Sequence, residues 1–222
     1  MTPYKKRVRK ARVAQMNTIL QKLYPEAKIA LNYSTDFECL VAVMLSAQCT
    51  DERVNKVTEK LFKKYKTLDA YASASQKEME QDVYQTGFFR NKEKNIIAAA
   101  KRVRDDFDGV LPRTVEEMIT IPGAARKTAN VVLATLYGVT EGIAVDTHVR
   151  RFVIRFDLSD YRDPIRIERD LMQIMPKELW WGFNHRLVNY GRDYCKAHKH
   201  DCATHPLTAV YPKANTIWPK AK

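Results

Sequence analysis

A Pro-Gly turn between two helical segments constrains the fold of this chain more than any other feature. Residues 115–138 predict a helix, the turn Ile121-Pro122-Gly123-Ala124-Ala125, and a second helix that ends at Gly138. Such a turn leaves the first backbone N–H groups of the second helix without partners, beside the positive end of the helix dipole. The segment therefore predicts either an anion-binding hairpin or an ordinary antiparallel helix pair with a basic first turn.

Apolar residues recur at helical spacing over nearly the whole sequence, and no segment shows the alternation that is typical of strands. Capping boxes at Thr35 and Thr114 each precede such a helix. We therefore predict an all-α fold, with an extended connection at Gly142–Asp146 and an irregular stretch after Pro206. Further helices are predicted over residues 91–103, 163–175 and 179–190.

The charge balance indicates a polyanionic partner. The 222 residues include 38 Lys and Arg against 26 Asp and Glu, a formal net charge of +12. Nucleic acid is the usual partner of so basic a chain, and an anionic membrane surface is a less common one. No apolar run approaches the roughly 18 residues of a membrane span, so we expect no membrane partner. The seven glycines form none of the common nucleotide-binding loops.

The chain ends and the cysteines indicate an intracellular protein. The basic stretch from Met1 to Val13 lacks the apolar core of a secretory signal, and we expect it to be a solvated basic arm. The four cysteines do not suggest a secreted disulfide framework. We expect a reducing compartment, the cytoplasm or nucleoid if the source is prokaryotic.

Four motifs in order resemble those of the endonuclease III family of helix-hairpin-helix DNA glycosylases. The turn and the helix start, Ile121 to Val132, resemble the family's hairpin, and Val145-Asp146-Thr147-His148 matches its V-D-T-H. Upstream, Leu45-Ser46-Ala47-Gln48-Cys49-Thr50-Asp51 resembles L-S-A-Q-x-T-D, and the segment from Gly87 to Lys92 resembles G-[LF]-Y-x-x-K. The chain is identified as a member of this family.

The resemblance implies a two-lobed all-α fold and a monomer. A six-helix barrel lobe would cover residues 29–138, with the helix-hairpin-helix at about 115–138. The second lobe would combine residues 1–28 and 139–222, with a degenerate cluster loop at 195–211.

The resemblance also implies a bifunctional DNA glycosylase and AP lyase that excises oxidised pyrimidines from damaged double-stranded DNA in base excision repair. Lys127 matches the family's nucleophile and Asp146 its essential aspartate. A lysine must be neutral to attack, which partial burial near a helix N-terminus would favour. The alternatives are another lesion preference, for oxidised purines or mismatches, and a DNA-binding protein without catalysis.

Further residues carry DNA-contacting roles by the same resemblance. Gln48 and Phe88 match residues that fill the space left by a flipped nucleotide, and Asp51 and His148 are expected to support the pocket. Ala125 stands where the family has glycine, which would cost on the order of 1 kcal/mol if φ were positive there. The remaining predicted DNA contacts are Arg90, Lys92, Gly123, Ala125, Arg126, Thr128 and Lys199.

The C-terminal segment departs from the family. Most members hold a [4Fe–4S] cluster on C-x6-C-x2-C-x5-C. Here Cys195 and Cys202 keep the first spacing, but His205 and Tyr211 take the other two positions. Because such clusters require thiolates, we expect no iron–sulfur cluster and no other metal. A zinc site on Cys195, Cys202 and His205, completed by His198 or His200, is the second choice.

Overall fold

The computed structural model describes residues 1–26 and 28–218, and within those ranges it contains helices and turns but no strand. The all-α prediction is confirmed. Short 3-10 turns cover Tyr84–Thr86, Lys177–Leu179, Thr208–Val210 and Pro212–Thr216. The α-helices of the described chain are α1 Pro3–Leu23, α2 Asp36–Leu45, α3 Asp51–Lys64, α4 Leu68–Ala72, α5 Gln76–Val83, α6 Phe89–Asp106, α7 Val115–Met118, α8 Arg126–Tyr137, α9 Thr147–Arg155, α10 Pro164–Ile174 and α11 Trp180–Asp193.

The chain forms two compact units. The inner unit comprises Ile29–Glu141, and the terminal unit comprises Met1–Lys28 together with Gly142–Lys222. The six-helix barrel expected over residues 29–138 stays a prediction, as does the extent of the second lobe.

Helix α2 forms the centre of the inner unit. All residues from Glu38 to Leu45 are buried, and α2 packs against α3, α6 and α8. A helix that is apolar on nearly every side must be surrounded by others. Its start is fixed by the predicted capping box, since the Thr35 hydroxyl accepts from the Glu38 N–H at 3.2 Å and the Glu38 carboxylate accepts from the Thr35 N–H at 3.2 Å.

Helix α1 corrects the expectation of a solvated basic arm. Residues 3–23 form one helix that packs against α10 and α11 in the terminal unit. Arg9 is only 1% exposed, and its guanidinium lies 2.7 Å from an Asp157 carboxylate oxygen and 2.8 Å from one of Asp160. The partners follow about 150 residues later in the chain, so local sequence gave no sign of the burial.

The irregular C-terminal stretch packs on the core of the terminal unit. Leu207 and Ala214 are buried in its core, and Tyr211 and Trp218 pack against that core. Residues 219–222 lie outside the described part of the chain. No helix among the residues described is both long enough and apolar enough to span a bilayer.

The ion pairs of α1 predict an acid-sensitive contribution to stability. Hydrogen bonds from Arg9 and Lys5 hold the pKa of Asp160 well below its usual range. A depressed carboxyl pKa stabilises the fold above the unfolded value of about 3.9, and the stabilisation is lost as the pH falls towards the folded value. We expect the free energy of unfolding of wild type to exceed that of Asp160→Asn by up to about 1 kcal/mol near pH 6, because the pair is part exposed.

Urea unfolding of both proteins between pH 7 and pH 2 checks this expectation. The difference between them should shrink as the solution is acidified below about pH 4. A difference that stayed constant over the whole range would contradict it.

Candidate active site

The turn between α7 and α8 contains a glycine at a position with no room for a side chain. Gly123 has φ of 81°, and a Cβ there would lie 2.9 Å from Asn95 Cβ and closer still to the Met44 side chain. Any side chain would therefore be strained and would also displace neighbours. Ala125 has an extended backbone with φ of −64°, so the strain considered for alanine does not arise.

Lys127 is the second residue of α8 and is exposed. Ala125 occupies the N-cap position and has no side-chain acceptor, so no side chain caps the helix. The positive end of the α8 dipole thus lies beside Lys127, with the exposed Arg126 and the half-buried Thr128 on either side. The expected partial burial of Lys127 is absent in this structure.

A cavity of about 250 Å³ brings together motif residues that are distant in the sequence. Gln48 follows α2, Phe88 precedes α6, and Gly123 lies in the hairpin, yet all three line this cavity. Its other lining residues are Met44, Ala47, Asn91, Lys92 and Asn95. Residues of three of the four motifs thus lie on one surface of the inner unit.

Two of the cavity residues have strained backbones. Gln48 has φ of 55° and Phe88 has φ of 49°, and residues other than glycine seldom adopt this left-handed backbone region. Such strain persists where surrounding structure imposes it, and it concentrates at functional sites. Phe88 is 63% exposed, whereas the ring of the next residue, Phe89, packs 4.7 Å from that of Tyr84.

Lys92 is a correction to the predicted phosphate contacts. Lys92 is 6% exposed, and its ammonium donates to the carbonyls of Leu45 at 2.9 Å and Thr86 at 2.8 Å. Burial also lowers the pKa of Lys92. The side chain therefore connects the end of α2 to the turn before α6. Because its ammonium is buried on these two carbonyls, Lys92 is not a phosphate contact.

Asp146 begins α9 as its N-cap. One carboxylate oxygen accepts from the Val149 N–H at 2.8 Å, so the side chain has a fixed orientation. The connection before it is held by buried partners, because Asn184 donates to the Ala144 carbonyl and the Ile143 N–H donates to Glu168. The predicted extended connection at 142–146 therefore carries a rigidly placed carboxylate.

The other predicted residues are half-buried or exposed. Asp51 is the first residue of α3, and His148 is the second residue of α9, where Gly191 leaves room for its ring. Arg90 and Lys199 are exposed, and Arg90 pairs with Glu80 at 3.3 Å.

A cluster of metal-binding side chains overturns the prediction that the protein holds no metal. Cys195, His200, Cys202 and His205 offer ligand atoms that all lie within 4.8 Å of one another. His200 takes the place expected for Tyr211, whose ring instead lies under the Arg12 guanidinium at 4.0 Å. These four residues are called the Cys/His cluster below. Sequence reasoning offered His200 only as an option, because spacing does not show how the loop folds back.

Burial shapes the chemistry of the Cys/His cluster. Burial raises the pKa of the Cys195 thiol, against the opposing effect of the nearby Arg155 guanidinium. Burial lowers the pKa of His205, so its ring is neutral at pH 7 and keeps a lone pair for a metal.

Comparison with known proteins defines the class. Residues 41–177 match the HhH-GPD superfamily of base excision DNA repair proteins. A solved structure described as a trapped endonuclease III–DNA covalent intermediate superposes with a TM-score of 0.87 at 39% identity, covering 93% of this chain and 97% of that one. A thymine-DNA glycosylase structure shares the fold, with a TM-score of 0.78 at 18% identity and coverage of 95% and 98% of the two chains.

Closer relatives specify the family within that class. Endonuclease III of Synechocystis is 48% identical over 93% of this chain and 94% of its own length. Endonuclease III of Bacillus subtilis is 43% identical over 85% of this chain and 86% of its own. The chain belongs to the endonuclease III family, as the four motifs predicted.

The packing of Gly123 predicts a stability difference between two glycines of the inner unit. Gly123→Ala adds a close contact to the cost of a positive φ, whereas at Gly138, with φ of 65°, nothing lies within 4 Å of an added Cβ. The backbone cost is about 1–2 kcal/mol at either site, and overpacking adds about 1–3 kcal/mol at Gly123 alone.

Urea unfolding of Gly123→Ala and the matched control Gly138→Ala measures both effects. The Gly123 variant should be the less stable by at least about 1 kcal/mol. Equal losses would mean that Met44 and Asn95 move aside without cost.

Proposed function

We propose that this protein is a bifunctional DNA glycosylase and AP lyase of base excision repair that removes oxidised pyrimidines from damaged duplex DNA. Family membership supports the glycosylase and lyase class, and the lesion preference follows the family resemblance. The bacterial origin of its relatives supports a site of action inside the cell, and the cytoplasm or nucleoid is the compartment that we propose. The roles of individual residues follow the family resemblance, and the position of each side chain is used as support.

The observation that carries the proposal is the position of Lys127. It is an exposed amine at the start of α8, in the hairpin whose sequence matches the family's. A relative that is 39% identical has been solved as a covalent intermediate with DNA, and a covalent link requires a nucleophile. Among the motif residues, Lys127 is the amine that can form one.

Lys127 would act by nucleophilic attack on the sugar. The neutral amine forms a bond to C1′ as the glycosidic bond to the damaged base breaks, and the base leaves with the bonding electrons. Ring opening gives a Schiff base between the lysine and C1′. Loss of a C2′ proton then expels the 3′ phosphate by β-elimination, and water hydrolyses the Schiff base to restore the amine.

Asp146 would stabilise the charge that develops on the sugar. Departure of the base leaves positive charge at C1′ and the ring oxygen, and a fixed carboxylate lowers the energy of that state. The hydrogen bond to Val149 at 2.8 Å supplies the fixed orientation, so little reorganisation is needed during the reaction.

Gln48 and Phe88 would occupy the gap left by the flipped nucleotide. The exposed ring of Phe88 is suited to wedge between base steps, and the Gln48 amide can hydrogen-bond an orphaned base. Both side chains border the same cavity, which makes a joint role possible for residues 40 positions apart. The positive φ of both residues supports this proposal, because strained backbone is concentrated at functional sites.

Basic side chains on the surface would hold the phosphates. Arg126 and Thr128 flank the uncapped start of α8, where backbone N–H groups can also donate. Arg90 forms an ion pair with Glu80, which it must break or share to reach a phosphate. Lys199 is exposed on the loop of the Cys/His cluster. We propose supporting roles for Asp51 and His148 in the pocket.

Lys127→Ala tests the nucleophile. Borohydride should trap wild type on a duplex that carries thymine glycol, and trapping should be faster there than on a duplex with an oxidised purine. The variant should lose trapping almost completely, because no amine remains to form the Schiff base. Efficient trapping by the variant would remove Lys127 from the mechanism.

Two matched variants separate catalysis from binding. Arg126→Ala removes the neighbouring charge and should weaken binding while leaving trapping intact at saturating protein. Asp146→Asn keeps an oxygen that can cap α9, so it should fold and bind the lesion duplex, yet turn over at least about 100-fold more slowly. Undiminished turnover of Asp146→Asn would exclude the electrostatic role.

Phe88→Ala tests the wedge, with Phe89→Ala as the matched control. Because Phe88 is exposed whereas Phe89 is half-buried and packs on Tyr84, only Phe89→Ala should clearly lower the unfolding free energy, by about 1–3 kcal/mol. Phe88→Ala should slow excision more than it weakens binding to undamaged DNA, since the wedge acts after docking. Equal losses in excision and non-specific binding would contradict the wedge.

A further inference from the structure

The Cys/His cluster lies where α11 ends and the following loop folds back. Cys195 comes two residues after α11, and His200, Cys202 and His205 lie on the loop. The two cysteines are buried, at 3% and 1% exposure, and the two histidines are half-buried. Thiol and imidazole groups in this proportion are typical ligands of a tetrahedral transition-metal ion.

Two imidazole nitrogens in the cluster are buried and lack hydrogen-bond partners among the described residues. They are Nε2 of His200 and Nδ1 of His205. The other nitrogen of His200, Nδ1, lies 2.7 Å from the His198 carbonyl oxygen. A carbonyl can only accept, so Nδ1 carries the proton and Nε2 carries the lone pair. The ring is thus held in the tautomer that binds a metal, in the manner of metal-ligating histidines.

The size of the group distinguishes one ion from a cluster. In a tetrahedral zinc site with bonds of about 2.0–2.3 Å, the ligand atoms stand roughly 3.3–3.8 Å apart. The ligand atoms here lie within 4.8 Å of one another, so a small closure completes that geometry. A [4Fe–4S] cluster places its four ligands on different irons, which spreads them further apart, and it takes four thiolates. The donor set of this chain does not fit it.

We propose that Cys195, His200, Cys202 and His205 bind a single Zn²⁺ ion. Binding forms four coordinate bonds and converts two thiols to thiolates, so two protons leave with each ion bound. The ion satisfies both unpartnered imidazole nitrogens at once. This inference concerns the terminal unit alone and stands independently of the roles proposed for Lys127 and Asp146.

Arg155 contacts both cysteines of the Cys/His cluster. Its guanidinium is buried and donates to Cys195 Sγ at 2.6 Å and to Cys202 Sγ at 2.8 Å. A cation beside the two sulfur atoms offsets the negative charge that they carry as metal ligands. Arg155 also donates to the Ala214 carbonyl at 2.7 Å, so the same side chain fastens the last part of the loop to α9.

The metal content of the full chain tests the proposal. The protein is produced without a histidine tag in medium that contains both iron and zinc, and its metals are measured by mass spectrometry. We expect one zinc per chain and no stoichiometric iron. X-ray absorption at the zinc edge should show two sulfur ligands near about 2.3 Å and two nitrogens near about 2.0–2.1 Å. A brown protein with about four irons per chain, or a chain with no metal, overturns the proposal.

Variants identify the ligands. His200→Gln and His205→Gln should lose zinc, whereas the matched control His198→Gln should keep it, because His198 contributes only its backbone carbonyl. Zinc retained by either of the first two variants, or lost by the control, overturns the ligand assignment. If a ligand variant fails to fold, the absorption spectrum of wild type still decides, since a shell without two nitrogens refutes both histidines.

Discussion

The close approach of Gly123 to Met44 and Asn95 is the constraint on which the arrangement of the inner unit depends. It lets the hairpin pack directly on the side chains of Met44 in α2 and Asn95 in α6. Because α2 is buried along its length, it cannot move to accommodate a bulkier turn. The start of α8, and with it Lys127, is therefore positioned by the core of the unit rather than by a flexible loop.

Local chemistry predicted much of this fold. The capping box at Thr35 starts α2, and Gly138, with its left-handed backbone, ends α8. Each involves residues within a few positions of one another, so their hydrogen bonds follow from the local sequence. The four motifs identified the family for the same reason, since each is a short run with its own chemistry. The motif resemblance also singled out Phe88, which the structure shows to be exposed.

Contacts between distant residues account for what the sequence did not predict. Arg9 can be buried because it pairs with the carboxylates of Asp157 and Asp160. The residues of α1 alone do not indicate these partners. Lys92 points inward because the end of α2 offers a carbonyl 47 positions earlier. The metal prediction was wrong because counting positions favoured Tyr211, whereas the loop turns back and brings His200 to the two cysteines.

Helix α9 joins two features that were described separately. It begins at Asp146, and further along it Arg151 donates to the Cys195 carbonyl at 2.7 Å while Arg155 donates to the Ala214 carbonyl. Arg155 also donates to the sulfur atoms of Cys195 and Cys202. The capped carboxylate and the attachment of the loop therefore share one support, and a displacement of α9 would move both.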